Sequence, residues 1–493
     1  ELRRYIGGND GGCNNMKRPS YNFRRTKIVC TIGPATGSPA LIRALIRAGM
    51  NVARLNLSHG SFTEHSRYIR LIRELSQRSG TEVAILIDLP GPKYRTGRLK
   101  GGQAILKKGA TVVLTTDQIE GDAAMVSVNL PELYQDIKKG DTVLLDDGAM
   151  QLRVSEKKDG RVKCKVIVGG TLTKNRGLVV PGMPTSGPYV TDALKEDIKF
   201  AVEQNPDYLA LSFVSSNDDI KSVKSIISKY DADIPIITKI ERKQAVADFN
   251  NILLASDGIM VARGDLGVDI PLEKVPLVQK EIIRKCNRVG KPVITATQML
   301  ESMVNAALPT RAEVTDVANA IFDGTDATML SAETSIGNYP VASVKMMVKI
   351  AREAEKRLPY EGLLQERSDW IEQETDELIS YNACLTAQQL GAAAIVAFTQ
   401  SGNTAGRVSK YRPRAPILAI SPNGSVVGRS LLHWGVIPLR IDPIASVDEL
   451  FDTGSRLCRQ LKLARSGEMI VITGGIPVGQ AGATNLLKVQ TVD

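Results

Sequence analysis

Ile236-Ile-Thr-Lys239-Ile-Glu241 and, further along, Ile259-Met-Val-Ala-Arg-Gly-Asp265 are short apolar runs that each end in charge. Runs of this length read as buried strands, and the lysine and two carboxylates stand where the strands stop. In a barrel of parallel strands, that end is where chemistry collects.

Six further runs share the pattern, so that residues 26–33, 51–57, 82–89, 208–214, 234–240, 258–263, 291–298 and 327–333 form a series of eight. Most gaps carry helical periodicity, at 38–48, 63–78, 192–203, 217–229 and 273–289. A repeated strand–helix unit predicts a parallel sheet with helices outside it. Eight units close a (β/α)₈ TIM barrel, although an open doubly wound sheet reads similarly over any four of them.

The chain of 493 residues is too long for one core and suggests about three domains. The third and fourth runs are separated by far more chain than a barrel connection needs. That insert alternates strands with turn residues, and Asp159-Gly160 between alternating runs signals a hairpin. A small β-barrel is expected there, leaving from the end of the third strand and placed to act as a lid. After the eighth run comes a charged helical stretch, then four strands near 394–399, 416–421, 435–441 and 468–475 that suggest an open α/β sheet. The expected division is a flexible arm over 1–20, barrel over 21–91, β-barrel lid over 92–187, barrel again over 188–360, and a C-terminal α/β domain over 361–493.

No apolar run approaches the length of a membrane span and no secretory signal opens the sequence, so a cytoplasmic location is expected. The six cysteines lie far apart without metal-ligand or disulfide spacing and are expected to be reduced and mostly buried. Three histidines leave little room for zinc or histidine acid–base chemistry. The net charge of +10 is spread along the chain, and aromatic residues make up 4%, which argues against nucleic-acid recognition. A basic interior cleft for phosphorylated substrates is the sharper reading of the charge. Neither a Walker loop nor a G-x-G-x-x-G fingerprint occurs, so any nucleotide is held another way.

At the ends of the eight runs stand Arg54, Asn56, Ser58, Asp88, Lys239, Glu241, Arg263, Asp265, Thr297, Ser331 and Glu333. Taken alone, Lys239 with Glu241 is equally a structural ion pair, and Arg263-Gly-Asp265 equally a turn with a solvated acid. Their joint occurrence on adjacent strands favours a site. Two acids without histidine suit a hard divalent ion such as Mg²⁺, and a lysine and arginines beside them suit phosphate. Phosphoryl transfer is the chemistry expected. Thr310-Arg-Ala-Glu313 reads as a helix capping box.

Ile28-Val-Cys-Thr-Ile-Gly-Pro34, Met50 through Gly60, Lys239-Ile-Glu241, Val261-Ala-Arg-Gly-Asp-Leu-Gly267, Ala296 through Met303 and Pro309-Thr-Arg-Ala-Glu313 closely resemble pyruvate kinases. The resemblance implies a barrel, a lid and an effector domain, usually in a homotetramer, and transfer of phosphoryl from phosphoenolpyruvate to ADP to give pyruvate and ATP. It implies Mg²⁺, with Mn²⁺ as a substitute, on Glu241 and Asp265, and Lys239 and Arg54 at the transferring group. Gly264, Asp265 and Thr297 would hold the substrate carboxylate, and Thr297, Ser331 and Glu333 would pass the proton. Asn56, His59, Arg95 and Arg176 match nucleotide positions.

The family's monovalent-cation site maps to Asn56, Ser58, Asp88 and Leu89. Here Asp88-Leu-Pro-Gly-Pro-Lys93 departs from the common pattern, because Lys93 replaces a glutamate. It resembles the branch that works without K⁺, and Lys93 is expected to substitute for that ion. In the C-terminal domain, Thr399, Ser401, Gly402, Asn403 and Thr404 match an effector-phosphate corner, with AMP or a sugar monophosphate favoured over fructose 1,6-bisphosphate. The competing readings are another Mg²⁺-dependent phosphoenolpyruvate or pyruvate barrel enzyme, such as a carbon–carbon lyase or synthase, and a non-catalytic polyanion-binding protein.

Overall fold

The computed structural model describes residues 23–493 apart from positions 130, 185, 480, 481 and 483. The arm expected over 1–20 and Cys13 lie outside them. Each of the eight apolar runs forms a strand: Lys27–Thr31, Val52–Asn56, Ala84–Leu89, Tyr208–Leu211, Ile236–Ile240, Gly258–Ala262, Val293–Ala296 and Ala327–Leu330. All pair in parallel, each with its sequence neighbours, and the first joins the eighth to close a barrel.

Alternation along the strands divides the core into two shells. Ile28, Ile85, Ile87, Leu209 and Ile236 point outward and pack with the buried faces of the surrounding helices. Val29, Val52, Ala84, Leu86, Tyr208, Ala210, Ile237, Met260 and Ile294 fill the barrel interior. The same inward positions continue toward the strands' C-terminal ends as Arg54, Asp88, Lys239 and Glu241, so the interior changes from hydrocarbon to charge along its axis. The opposite end is stoppered by Leu431 and Leu432, which come from the C-terminal domain and join the inner cluster.

The helices take the sequence's start and stop signals. Thr310 and Glu313 form the expected capping box, and glycines with positive φ end Pro39–Ala48 and Val275–Val289. The inserted segment has its own apolar core. Asp159 and Gly160 turn its longest hairpin, Met150–Lys158 to Arg161–Val168, with φ values of 47° and 74°. Both are left-handed, as a two-residue type I′ turn requires. Its seven-stranded sheet runs from Tyr94–Arg95 at one edge to Met125–Ser127 at the other. A bridge between Thr96 and Val128 joins the two edges, and closure removes the unpaired rims that an open sheet would expose.

The C-terminal sheet has five strands where four were expected. Leu486–Thr491 adds an antiparallel edge strand against Met469–Gly474. It is half exposed and mixes leucine with lysine and glutamine, so it lacks the continuous apolar run that marks the four buried strands. Among the described residues no helix is long and apolar enough to cross a membrane. The five described cysteines are free and buried.

Candidate active site

The fifth strand presents Lys239 and, just past its end, Glu241; both are buried. Lys239 Nζ lies 2.7 Å from Ser212 Oγ, 2.8 Å from Glu241 Oε1 and 3.4 Å from Asp88 Oδ2. Arg54, inward on the second strand, reaches the same Asp88 through Nε at 2.7 Å and Nη2 at 2.6 Å, and donates to Thr31 Oγ1 at 2.9 Å. Asp88 is therefore the shared counter-ion of two buried cations. Burial opposes its charge, but Lys239 and Arg54 outweigh burial and hold its carboxyl below the ordinary value. For Lys239, burial disfavours the ammonium, yet Asp88 and Glu241 together raise its pKa. Burial pushes the Glu241 carboxyl up, and Asp265 adds to the push against the opposing pull of Lys239.

Asp265 stands in the first turn of the helix Arg263–Asp269, which starts where the sixth strand stops. The N–H groups of a first turn have no acceptor in their own helix. That of Gly264 donates to Thr297 Oγ1 at 2.8 Å. Thr297 and Gln298 both have positive φ, 67° and 53°. Arg263 accounts for that conformation, because its guanidinium donates to the carbonyls of Thr297 and Gln298 and pairs with Asp316 at 2.6 Å. Arg263 thus braces the turn instead of joining the basin where the sequence reading put it.

Glu333 is 1% exposed and spends its two oxygens on the amides of Leu300 and Ser331, at 3.0 and 2.7 Å. Burial raises its pKa. The Ser331 hydroxyl is buried and without a partner among the described residues. The three expected proton carriers occupy neighbouring strand ends, but Thr297 Oγ1 donates to the Ala296 carbonyl.

At the positions expected to meet a nucleotide, burial and then Arg95 and Arg54 lower the pKa of His59, which places the three within one field. Arg176, in the lid, pairs with Asp146 at 3.2 Å. Asn56 Oδ1 accepts from the Ser58 amide. The Lys93 ammonium is 2.8 Å from Asp265 Oδ1 and 3.9 Å from Asp147 Oδ1 of the lid, and it sits 5.1 Å over the Phe213 ring. Asp88, the acid of the expected monovalent-cation site, is neutralised by Arg54 and Lys239.

In the C-terminal domain the strand Ala394–Phe398 runs into Thr399, whose Oγ1 accepts from the Gly402 amide at 2.8 Å. The helix Asn403–Lys410 follows, with Gly402 at φ 94°. Thr399, Ser401, Asn403 and Thr404 line a concavity there, together with Gly479 and Gly482 of the later loop.

Two family models match the chain, the pyruvate kinase barrel domain over residues 23–344 and the pyruvate kinase alpha/beta domain over 377–490. The chain is 45% identical to a pyruvate kinase of Geobacillus stearothermophilus over 472 residues, 95% of this chain and 80% of that protein. It is 46% identical to one from Bacillus licheniformis, with 95% and 81% covered. A crystal structure of a pyruvate kinase from Cryptosporidium parvum superposes with a TM-score of 0.90 at 37% identity, covering 95% of this chain and 96% of that one.

The chain belongs to the pyruvate kinase family.

The divalent ion that pyruvate kinases generally use can be tested against the residues present. Glu241 Oε1 is buried and ion-pairs with the Lys239 ammonium at 2.8 Å. Asp265 is near enough to raise the Glu241 pKa. Two neighbouring carboxylates at a strand mouth, with no histidine or thiolate between them, fit a hard divalent cation, which needs only one or two such ligands. Among the described residues no group of three or more His, Cys, Asp or Glu offers a richer metal site.

Sequence reading missed Thr31, Ser212 and Phe213. Thr31 lies two residues past Val29 and Ser212 two past Ala210, both inward positions, so strict alternation from the inner core would have found them.

Proposed function

We propose that the chain transfers the phosphoryl group of phosphoenolpyruvate to ADP, yielding pyruvate and ATP. The observation that carries this reading is the buried Lys239 ammonium, held between Glu241, Asp88 and Ser212 at the mouth of a barrel whose second strand adds Arg54. Glu241 and Asp265 would hold Mg²⁺, or Mn²⁺ in its place. That ion would supply a Lewis acid for phosphoryl and enolate oxygens. Lys239 and Arg54 contribute fixed positive charge where phosphoryl oxygens gather, already oriented by Asp88, so little reorganisation is needed as charge shifts. The Gly264 and Asp265 amides and the Thr297 hydroxyl would hold the substrate carboxylate, which would take over the Gly264 N–H now donated to Thr297 Oγ1. The Ser331 hydroxyl, which has no partner among the described residues, suits the proton's path with Thr297, and Glu333 braces that turn. Asn56, His59, Arg95 and the lid's Arg176 would meet the nucleotide, and lid closure would exclude water.

A pyruvate assay coupled to NADH oxidation tests the reaction. Activity should require ADP and a divalent ion, and Lys239→Met should lower kcat by about 10²–10³ or more while the variant remains folded. Full turnover by that variant would overturn the assignment. With Lys93 substituting for the monovalent ion, activity in K⁺-free buffer should match that in K⁺, and a large stimulation by K⁺ would reject this. The Thr399–Thr404 corner is proposed to bind an effector phosphate, with AMP or a sugar monophosphate ahead of fructose 1,6-bisphosphate, and the assembly is proposed to be a homotetramer. Activation profiles with these compounds and sedimentation of the full chain test both.

A further inference from the structure

The stretch that links the barrel to the C-terminal sheet turns at Arg367–Trp370 and lines a cleft of about 240 Å³. Arg284, on the helix Val275–Val289, stands on the barrel side, and Arg412 and Trp434 stand on the C-terminal side. The cleft shares no lining residue with the Thr399–Thr404 corner and contains none of the strand-end residues of the candidate active site.

Its charges do not balance. Arg367 and Arg412 are 4% and 3% exposed, and a buried charge is costly unless an opposite one answers it. Arg412 has its answer, pairing with Asp326 at 2.7 Å and donating to Asn287 Oδ1 at 2.5 Å and the Gly324 carbonyl at 2.7 Å. Asp326 is then fully engaged, because its oxygens also accept from the amides of Trp434 and Val293, at 3.2 and 3.0 Å. Arg367 donates from Nη1 to the Lys410 carbonyl and enters no ion pair among the described residues. Its Nε and Nη2 have no acceptor there either, yet they are not sealed from the cleft as the Arg412 Nε is. Burial, then the neighbouring Arg412, push the Arg367 pKa down to about 9, against the pull of Asp326 and Glu366. Of the two acids on the cleft wall, Asp323 pairs with Lys280 and Glu366 is exposed to solvent. Arg284 is exposed as well.

Each buried guanidinium also lies on an indole, Arg367 at 4.9 Å from the Trp370 ring centre and Arg412 at 5.1 Å from that of Trp434. We propose that the cleft binds a small organic oxyanion, a carboxylate or a phosphate monoester, held by Arg367 and Arg284. A guanidinium presents paired donors in one plane, which matches either group. The bound anion supplies the negative charge that Arg367 lacks, and the junction of two domains is a common place for such a site.

Trp370 and Trp434 are the chain's two tryptophans, so intrinsic fluorescence of the full chain reads the cleft directly. The protein is titrated with sodium phosphate or sodium benzoate against sodium chloride at constant ionic strength. A saturable change with phosphate identifies a phosphate site and one with benzoate a carboxylate site; either supports the proposal. Arg284→Glu, on the exposed side, should weaken the response about tenfold or more, and Arg367→Met should abolish it, with circular dichroism checking that each variant is folded. Should Arg367→Met fail to fold, Arg284→Glu alone decides. Ser401→Glu, in the Thr399–Thr404 corner, should leave the response unchanged. A parent that responds to neither anion beyond chloride, a response undiminished by Arg284→Glu, or one that vanishes in Ser401→Glu would overturn the proposal.

Discussion

Asp88 is where a single atom pair decides most. Arg54 and Lys239 are 7% and 8% exposed, and Asp88 is 1% exposed, so all three depend on one another for charge balance. Removing one partner of a buried ion pair leaves the other uncompensated, at a cost of about 3–5 kcal/mol. Asp88→Ala should therefore lower unfolding stability by roughly that amount, and Asp88→Asn by less, because the amide oxygen still accepts a hydrogen bond. Since the folded-state pKa of Asp88 is depressed, its contribution is present above the unfolded carboxyl value and is lost as pH falls through the folded one. Urea titrations of parent and Asp88→Asn should converge on acidification; curves that stay parallel would contradict the assignment. Charges of this kind were legible in the sequence because charge at the end of an apolar run is rare. Hydroxyls were not. Ser212 and Thr31 look like ordinary strand-end residues until the barrel reveals which face they occupy, and Arg263 looked like a phosphate ligand until its guanidinium met the carbonyls of Thr297 and Gln298.

At the scale of elements, the eight barrel strands could be read directly because each is buried on both faces and so is nearly continuously apolar. Leu486–Thr491 escaped for the opposite reason, being a half-exposed edge. The lid's alternation gave its hairpins, while its closure depends on Thr96 meeting Val128, a long-range pairing that no local pattern encodes. The strand-to-lid exit at Pro90-Gly-Pro92 is another such case. Sequence marks it as a boundary, but only the structure gives Gly91 its reason, the Ser212 carbonyl that leaves no room for a side chain. Backbone cannot yield as a flexible side chain can, so Gly91→Ala should force the exit off the fourth strand. We expect a stability loss of about 1–3 kcal/mol together with reduced kcat, as Ser212 and Phe213 are displaced. A variant with parent-like melting and turnover would mean that the exit is looser than this packing implies.

For the whole molecule, sequence gave the succession of barrel, insert and open sheet but not how the last docks on the first. The docking is made by small features: Leu431 and Leu432 in the barrel floor, Arg412 paired with Asp326 at 2.7 Å, and Lys27 of the first strand donating to the Val436 carbonyl. Lys27 is 3% exposed. Burial, reinforced by Arg24 and only partly opposed by Glu355 and Asp326, pushes its ammonium down to about 7. The unfolded chain keeps this proton up to the ordinary lysine value of 10.5, so between those limits the unfolded state binds more protons and stability rises with pH. Each unit is worth about 1.4 kcal/mol. Below the folded value both states are charged, and the interface bears the full cost of a buried ammonium. Lys27→Met should therefore gain most over the parent near pH 6, with the gain shrinking by about 2 kcal/mol between pH 7 and pH 9 as the parent sheds its proton. Denaturation midpoints of both proteins across that range measure it. A constant difference would place the Lys27 charge outside the balance that holds the two domains together.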